Sequence, residues 1–485
     1  MARRAVSQSS RNGPSPTLAW WADRVPLDAV NRWIYGRIVY PGVVRAIGEG
    51  TLFRRLESLE SFQWWPADRL EELQKGRLSD LLNFAADRTE HYKAILSAQP
   101  HIEPADAFAV LRSLPLLSKT EVQTRTAQLS AIPAPGRVTH KTTGGSTGQA
   151  VTIPKDRSAL AFERAAMWLG YGWAGIHFGD RCARFWGSQF AGRRRLLGRA
   201  GDFAMNRLRF SAFAFDDADL ERYWKRCVSF QPAYLYGYVS MLEAFASFVD
   251  RSGYDGRAIG ARAVITTSEV LAPPQRALLE RVFGARVFVE YGCGEVGPIA
   301  YECDQGSLHM MSADLVVEFL DDNGNAVSTG VGGQIVLTDL NSRAMPLIRY
   351  RIGDNGIPGP ACTCGRGFPV LSKIWGRAYD VVQGVDGRRY HGEFFMYVFE
   401  DLRKAGHDIR QFQVVQDRAD HLTIRIVSDP KTADTIAPII RDHLTGKLPG
   451  VKVTVERCDV IERAASGKTQ VVRNLLLAAQ RGSTS

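Results

Sequence analysis

The sequence predicts an α/β fold: a large N-terminal domain of mixed β-sheets and helices, plus a small, mobile α+β domain at the C-terminus. Three observations lead there. The 485 residues exceed what a single hydrophobic core supports. From Val138 onward, β-type runs alternate with helical ones, the rhythm of an α/β sheet that binds ligands at its strand ends. Around Gly376 the texture changes, and the remaining chain carries strands of its own, "FQVVQD" and "HLTIRIVSD". The expected division is a disordered tail over 1–18, an N-terminal domain over 19–376 and a small domain over 377–485.

Each element has a local reason. The first 18 residues are polar, with Pro and Ser. Residues 19–100 read as helices. "PADRLEELQKGRLSDLLNFAADRTEHYKAIL" has leucines at helical spacing and a start signal at Pro66–Asp68. Ahead of it, "AWWADRVPLDAVNRWIYGRIVY" sets three tryptophans among charges, which suits packing on the protein body or lying on a membrane surface. "AYLYGYVSMLEAFASFVDR" reads as a helix entered through a glycine turn, and "ARAVITTSEVL" as a strand leaving on a polar loop. "PPQRALLERVFG" reads as a helix ended by Gly284, and "ARVFVEYGCGEVG" as a strand running into a glycine-rich loop. Alternating strands follow around an Asn-Gly turn in "HMMSADLVVEFLDDNGNAV" and then in "GGQIVLTDL".

An apolar content of 45% is that of an ordinary globular protein. The formal charge of +10 suits nucleic acid, a membrane surface or an anionic substrate. No helix-turn-helix, RNP or Cys/His finger pattern supports nucleic acid, and a small polyanion accounts for some of the excess. The N-terminus "MARRAVSQSS" lacks the apolar run of a secretory signal. The most apolar stretch, "AAMWLGYGWAGIHF", is too short and glycine-rich to span a bilayer. Seven scattered cysteines fit a reducing compartment, so a cytoplasmic location is expected. The oligomeric state cannot be read.

The stretch "KTTGGSTGQAV" packs Thr142, Thr143, Gly144, Gly145, Ser146, Thr147 and Gly148 into one run. Glycine lets backbone N–H groups approach a ligand, and hydroxyls add donors, so the run forms a concave cradle for phosphate oxygens. The β-type "AVTIP" follows, which makes it a turn between strands. It lacks the G-x-x-x-x-G-K-[ST] spacing of a Walker loop. Taken alone it reads equally as a surface linker.

Four later motifs give it meaning: "EYGCGEVG" with Glu295, "PLIRYRIGD" ending in Asp354, "WGRAYDVV" with Arg377 and Asp380, and "ERAASGKTQVVRN" with Lys468. In this order and at these separations they resemble the adenylate-forming superfamily of acyl-CoA synthetases, from about residue 70 to 475. They are most similar to its phenylacetate-CoA ligase branch and to the CapK-like proteins within it. The resemblance implies ATP-dependent activation of a carboxylic acid to an acyl-adenylate with release of pyrophosphate, then transfer to CoA or another thiol. It implies that residues 142–148 hold the β- and γ-phosphates, with Thr143, Glu295 and Lys468 as the catalytic set. Glu295 would ligate Mg²⁺, a hard cation that wants oxygen. Tyr291 would lie against adenine, Asp354 would accept from the ribose hydroxyls, and Arg377 would reach the ribose or phosphate. Ser268, Glu269 and Gly292 would complete the ATP site. Lys468, brought in by the small domain, would stabilise charge between carboxylate and α-phosphate. Asp380 would be the hinge. Singly, Asp354 is a turn residue, Arg377 a surface ion pair and Lys468 a solvated lysine.

The sequence departs from the wider pattern at Gln149, at Tyr379 and in "QGVDGRRYHGEFF" beyond the hinge. The last departure bears on CoA as acceptor. An amine, a hydroxyl or a carrier protein is the alternative, and a non-catalytic nucleotide-binding scaffold is the reading from another class. The acid pocket is expected at Trp186, Tyr236, Gly237, Gly292 and Gly294, which suits an aryl or fatty acyl group. Cys303, His309, Cys362 and Cys364 make a tetrahedral set for a structural Zn²⁺, and similar positions recur in the phenylacetate-CoA ligase branch. Buried free thiols and an ordinary histidine are the plain alternative. Finally, "FAGRRRLLGRAGDFAMNRLRF" holds Arg193, Arg194, Arg195, Arg199, Arg207 and Arg209 against a single Asp202. It reads as a solvated face, a clamp on CoA phosphates or a foothold on an acidic membrane.

Overall fold

The computed structural model describes residues 27–97, 101–142, 151–186, 193–211, 217–375, 381–385, 389–391, 395, 398–399, 402, 405–407, 409, 411–462 and 472–476. The chain opens on helices Leu27–Ile34, Tyr40–Ala46, Leu52–Phe62, Ala67–Arg88 and Glu90–Leu96. The single helical run read over residues 66–96 is broken at Thr89. Its backbone is extended, and its Oγ1 accepts the N–H of Tyr92 at 3.2 Å, so a capping residue starts a new helix mid-pattern.

Strands β1 (Val138–Thr142) and β2 (Thr152–Asp156) pair antiparallel, so the flanks of the Gly/Ser/Thr run form the hairpin arms the sequence suggested. The main sheet has eleven strands. On one side run β3 (Cys182–Trp186), β4 (Arg207–Ser211), β5 (Tyr234–Tyr238), β6 (Ala263–Thr267) and β7 (Arg286–Cys293), ordered β4-β3-β5-β6-β7 and all parallel. On the other are β8 (Gly297–Glu302), β9 (Leu308–Met310), β10 (Leu315–Leu320), β11 (Gly333–Asp339), β12 (Tyr350–Gly359) and β13 (Val370–Trp375). These continue antiparallel from β7 in the order β8-β9-β13-β12-β11-β10.

Alternate residues of the parallel strands feed two cores, because strand side chains point to opposite faces. Tyr236, Ile265 and Phe288 join Trp168, Leu169 and Tyr171 of helix Arg157–Trp173. Leu235, Val264 and Val287 join Phe245 and Leu279 of helices Val239–Arg251 and Pro273–Phe283. Gly284, at φ +62°, ends the latter helix as expected. The Asn-Gly turn also forms, with Gly324 at φ +85° and Asp321 Oδ1 accepting the N–H groups of Asn323 and Asn325.

Two sequence expectations are corrected. Residues 233–251 are not one helix: "YLYGY" is the buried strand β5 between β3 and β6, and the helix begins at Val239. Alternating aromatics favour a strand there, and Gly237 is required, since an added Cβ would stand 2.7 Å from the carbonyl oxygen of Phe185. As expected, "ARVFVEYGCGEVG" is a strand running into a glycine-bearing turn, which forms the tip of the antiparallel β7–β8 hairpin. Arg207 and Arg209 do not share a helix face with the preceding arginines. They lie on β4 and donate to Asp202 Oδ1, which ends their availability to a ligand.

Beyond residue 410 a separate four-stranded sheet forms from Lys452–Arg457, His421–Val427, Gln411–Arg418 and Val472–Asn474, in that order. Helix Pro430–Thr445 lays Ile436, Ile440 and Leu444 in its core, at the i, i+4, i+8 spacing of one helix face. Among the described residues no helix is long and apolar enough to cross a membrane.

Candidate functional site

The phosphate-loop candidate residues Thr143 to Gly148 lie outside the described residues, as do Arg377, Asp380 and Lys468. The structure does describe how the foot of that loop is held. Lys141 on β1 donates to Glu163 Oε2 at 2.6 Å. Lys155 on β2 is fully buried, 2.7 Å from Asp339 Oδ2 and 3.3 Å from Glu163 Oε1. Burial acts to lower the Lys155 pKa, but the Asp339 and Glu163 carboxylates outweigh it and hold the ammonium above the usual lysine range. Asp156 caps helix Arg157–Trp173 through its Oδ1, while its Oδ2 accepts the N–H groups of Arg343 and Ala344. The hairpin is thereby fastened to the far side of the sheet by charges the sequence reading missed. The local signal in "TIPKD" is only a strand lysine, and its partner lies 184 residues away.

Glu163 also reaches the second motif. Gly297, at φ +87°, lies so close that an added Cβ would stand 2.6 Å from Glu163 Cγ. This glycine is therefore required twice, for its backbone and for its lack of a side chain. Glu295 occupies the turn just before it, is buried, and accepts from the Tyr350 hydroxyl at 3.2 Å. Tyr291, three residues ahead of that turn, donates to Asp354 Oδ2 at 2.9 Å. Two strands thus bring together what the sequence separated: β7 carries Tyr291, β12 carries Tyr350 and Asp354. Arg349 fixes β12. It sits at φ +52°, forks onto Glu318 at 3.1 and 3.0 Å, and donates to the carbonyl oxygens of Arg112 and Leu114. Ser268 takes φ +71° at the C-terminal end of β6, a conformation non-glycine residues seldom hold without a functional reason, and Glu269 follows it.

The acid-pocket candidates gather at the C-terminal ends of β3 and β5. The ring of Trp186 stacks on Tyr236 at 5.7 Å and on Tyr238 at 4.6 Å. Gly237 and Gly292 serve strand contact here: their Cβ positions meet the backbones of Phe185 and Gly297. Gly294 lies in the β7–β8 turn. Behind the aromatics is a polar floor the sequence reading did not find. Tyr236 and Thr267 both donate to Glu290 Oε1, at 3.0 and 3.1 Å, and burial pushes the Glu290 carboxyl up. Arg184 lies over Trp186 and Tyr236, and its buried Nε has no hydrogen-bond partner among the described residues, while the Tyr301 and Tyr171 hydroxyls face Glu290.

The Cys/His set converges. The ligand atoms of Cys303, His309, Cys362 and Cys364 lie within 4.8 Å of one another, between β8–β9 and the β12–β13 connection. Three tests bear on a metal. His309 Nδ1 donates to the Phe368 carbonyl oxygen at 2.7 Å, which turns the Nε2 lone pair toward the cysteines. Backbone N–H groups of Gln305 and Cys364 point at the sulfurs of Cys303 and Cys362. Burial raises the Cys362 thiol, yet hydrogen bonds from Ser307, Cys364 and His309 outweigh it and hold it down to about 6. Three sulfurs and one imidazole are a tetrahedral zinc donor set, and the residues fit that ion.

Glu295 meets the corresponding test for magnesium as a buried carboxylate that, among the described residues, forms no ion pair with lysine or arginine.

Comparison with known proteins agrees with this arrangement. Residues 386–475 match the CapK C-terminal domain family. Protein CapK of Staphylococcus aureus is 23% identical over 59% of this chain and 62% of its own length, under two thirds of that relative. A phenylacetate-coenzyme A ligase of Thermus thermophilus is 25% identical over 66% of this chain and 74% of its own. The crystal structure of 2-hydroxyisobutyryl-CoA ligase with its acyl-adenylate superposes with a TM-score of 0.68 at 18% identity, covering 87% and 94% of the two chains. The chain is similar in sequence to phenylacetate-coenzyme A ligases and shares the fold of 2-hydroxyisobutyryl-CoA ligase.

Proposed function

We propose that this ligase-like protein activates a carboxylic acid with ATP. A carboxylate oxygen attacks the α-phosphorus, the bond to the β-phosphate oxygen breaks, and pyrophosphate leaves with the electron pair. The product is an acyl-adenylate whose carbonyl carbon then accepts a nucleophile with loss of AMP. The observation that carries the reading is the pair of hydrogen bonds Tyr291–Asp354 and Tyr350–Glu295, which join the hairpin tip to β12 beside the foot of the loop. Residues 142–148 bind the β- and γ-phosphates through N–H and hydroxyl donors, with Thr143 nearest the reacting group. Asp354 accepts from the ribose, with Tyr291 aligned to adenine by the same hydrogen bond. Ser268, Glu269 and Gly292 bound the nucleotide, and Arg377 reaches its ribose or phosphate. Magnesium, held through Glu295, supplies charge neutralisation to the phosphates. Lys468 stabilises the charge shared by carboxylate and α-phosphate, delivered by a small domain that turns about Asp380. Zinc on the four Cys/His ligands is structural, since no open position remains.

The acid is a small or aryl acid with a hydrogen-bonding group, rather than a long alkyl chain. The buried Arg184 Nε, beside the polar floor of Glu290, would stay unpaired next to an alkyl chain. CoA is the first acceptor. The departure of "QGVDGRRYHGEFF" from the usual pattern beyond the hinge supports a second reading, transfer to an amine, a hydroxyl or a carrier protein.

Pyrophosphate exchange across a panel of acids tests the first step, and AMP release with CoA or other nucleophiles tests the second. Lys468→Ala abolishes exchange but leaves ATP binding nearly intact. Wild-type exchange in that variant would remove Lys468 from the mechanism, and no exchange with any acid would favour a non-catalytic scaffold.

A further inference from the structure

The first described helix presents an unpartnered face. Helix Leu27–Ile34 runs through the turn Tyr35–Val39 into Tyr40–Ala46. One side is pressed onto the body: Gly36 abuts the carbonyl oxygen of Phe178, Gly179 abuts the backbone of Gly36 and Arg32, and Tyr40 and Val44 are buried. The opposite side carries Val30, Trp33, Ile34, Arg37 and Ile38, all exposed. Their offsets of i, i+3, i+4, i+7 and i+8 form one stripe. Phe203 is 73% exposed beside it, on helix Arg193–Ala204, where its ring meets the edge of Tyr35 at 5.8 Å. Exposed apolar residues scattered singly are normal, but five sharing one surface form a patch.

The surrounding charge decides what covers it. Arg37 lies within the stripe, and Arg45 is exposed two turns further on. Helix Arg193–Ala204, which carries Phe203, has a single acidic residue, Asp202, already engaged by Arg207 and Arg209. A second copy related by a two-fold axis would set arginine against arginine. Residues 1–26 are no better suited to cover the patch, with Arg3, Arg4, Arg11 and Arg24 against Asp23. The remaining occupant is an anionic layer with an apolar interior.

We propose that the stripe Val30–Trp33–Ile34–Ile38, with Phe203 and the flanking arginines, docks this protein on an anionic lipid bilayer. The apolar residues enter the headgroup boundary, Trp33 lies at the interface, and the arginines meet lipid phosphates. Tyr35, Ala204 and Met205 behind the patch also line a cavity of about 120 Å³ shared with Tyr171, Arg184 and Tyr236. Docking therefore holds the acid wall near the membrane.

Co-sedimentation of the full chain with vesicles tests this. Wild type binds mixed phosphatidylglycerol–phosphatidylcholine vesicles, releases them at high salt, and ignores phosphatidylcholine alone. Trp33→Glu combined with Ile38→Glu removes binding. Arg37→Gln and Arg45→Gln each weaken it about fivefold, and these milder variants serve if the double variant folds poorly. Circular dichroism and pyrophosphate exchange stay unchanged in all of them. Absence of wild-type binding overturns the proposal, as does undiminished binding by both sets of variants. Size-exclusion chromatography showing a wild-type dimer that Trp33→Glu/Ile38→Glu converts to monomer would assign the face to a second copy instead.

Discussion

Strands β4, β3, β5, β6 and β7 run parallel, whereas β7 through β13 and on to β10 are antiparallel, and the two halves hold their candidate residues by different means. On the antiparallel side every candidate is tied by a polar contact. Asp354 holds Tyr291, Tyr350 holds Glu295, Arg349 clamps Glu318, and Cys364 Sγ stands 3.2 Å from His309 Nε2. On the parallel side the candidates are stacked rings, Trp186 on Tyr236 and Tyr238, over a polar floor where Arg184 Nε has no hydrogen-bond partner among the described residues. Hairpins place side chains from neighbouring strands directly opposite one another, so fixed hydrogen bonds form at short range. Parallel strands joined by helices leave a crevice at their ends, which aromatic walls fill and a ligand completes. On the function proposed above, the nucleotide belongs to the tied half and the acid to the stacked half.

Breaking the tie between halves has the largest expected effect. Lys155→Met leaves Asp339 buried without its cation and Glu163 with Lys141 alone, and costs about 3–5 kcal/mol of stability. Urea unfolding measures this, and a loss below about 1 kcal/mol would show that the clamp does not support the hairpin. Next comes the Cys/His set within the antiparallel half. Cys362→Ser takes zinc from about one per chain to almost none, with a smaller drop in melting temperature than Lys155→Met. Elemental analysis decides it, and wild-type protein that is well folded without zinc would refute the assignment. The smallest effect sharpens the contrast between halves. Trp186→Ala raises KM for the acid roughly tenfold while leaving KM for ATP unchanged. Equal rises in both would mean that the stacked half also supports the nucleotide.

The two halves were also unequally readable from sequence. Glu295, Asp354 and the Cys/His set could be found because polar residues in glycine-rich or paired motifs are conspicuous at their spacing. The structure then brings the described ones together. Arg184, Glu290 and Thr267 went unseen because they are single polar residues inside aromatic strands, where neighbouring Tyr and Trp look like ordinary core. Strand β5 was misread as helix because Tyr238 and Val239 adjoin with no turn between them, so a buried five-residue strand merges with the helical pattern that follows. Lys155 was invisible for another reason. A lysine at the end of a strand reads as solvated, and only the fold reveals that Asp339 and Glu163 await it. The amphipathic character of "DAVNRWIYGRIVY" was legible, but which side faces out depends on Gly36 lying flush against Phe178.

The Lys155–Asp339 contact also has a bearing on how the protein is made. As the chain leaves the ribosome, β2 emerges with its ammonium long before the carboxylate that neutralises it, which is 184 residues behind. At ordinary elongation rates that interval is on the order of ten seconds or more. Throughout it Lys155 has only Glu163 as counter-charge, and its full burial waits for the shorter contact to Asp339. A nascent or truncated chain ending before β11 therefore lacks the tie that fastens the β1–β2 hairpin to the far side of the sheet. Late closure of such a long-range pairing is slow and leaves strand edges open meanwhile, so co-translational protection of β1 and β2 becomes a requirement of biogenesis.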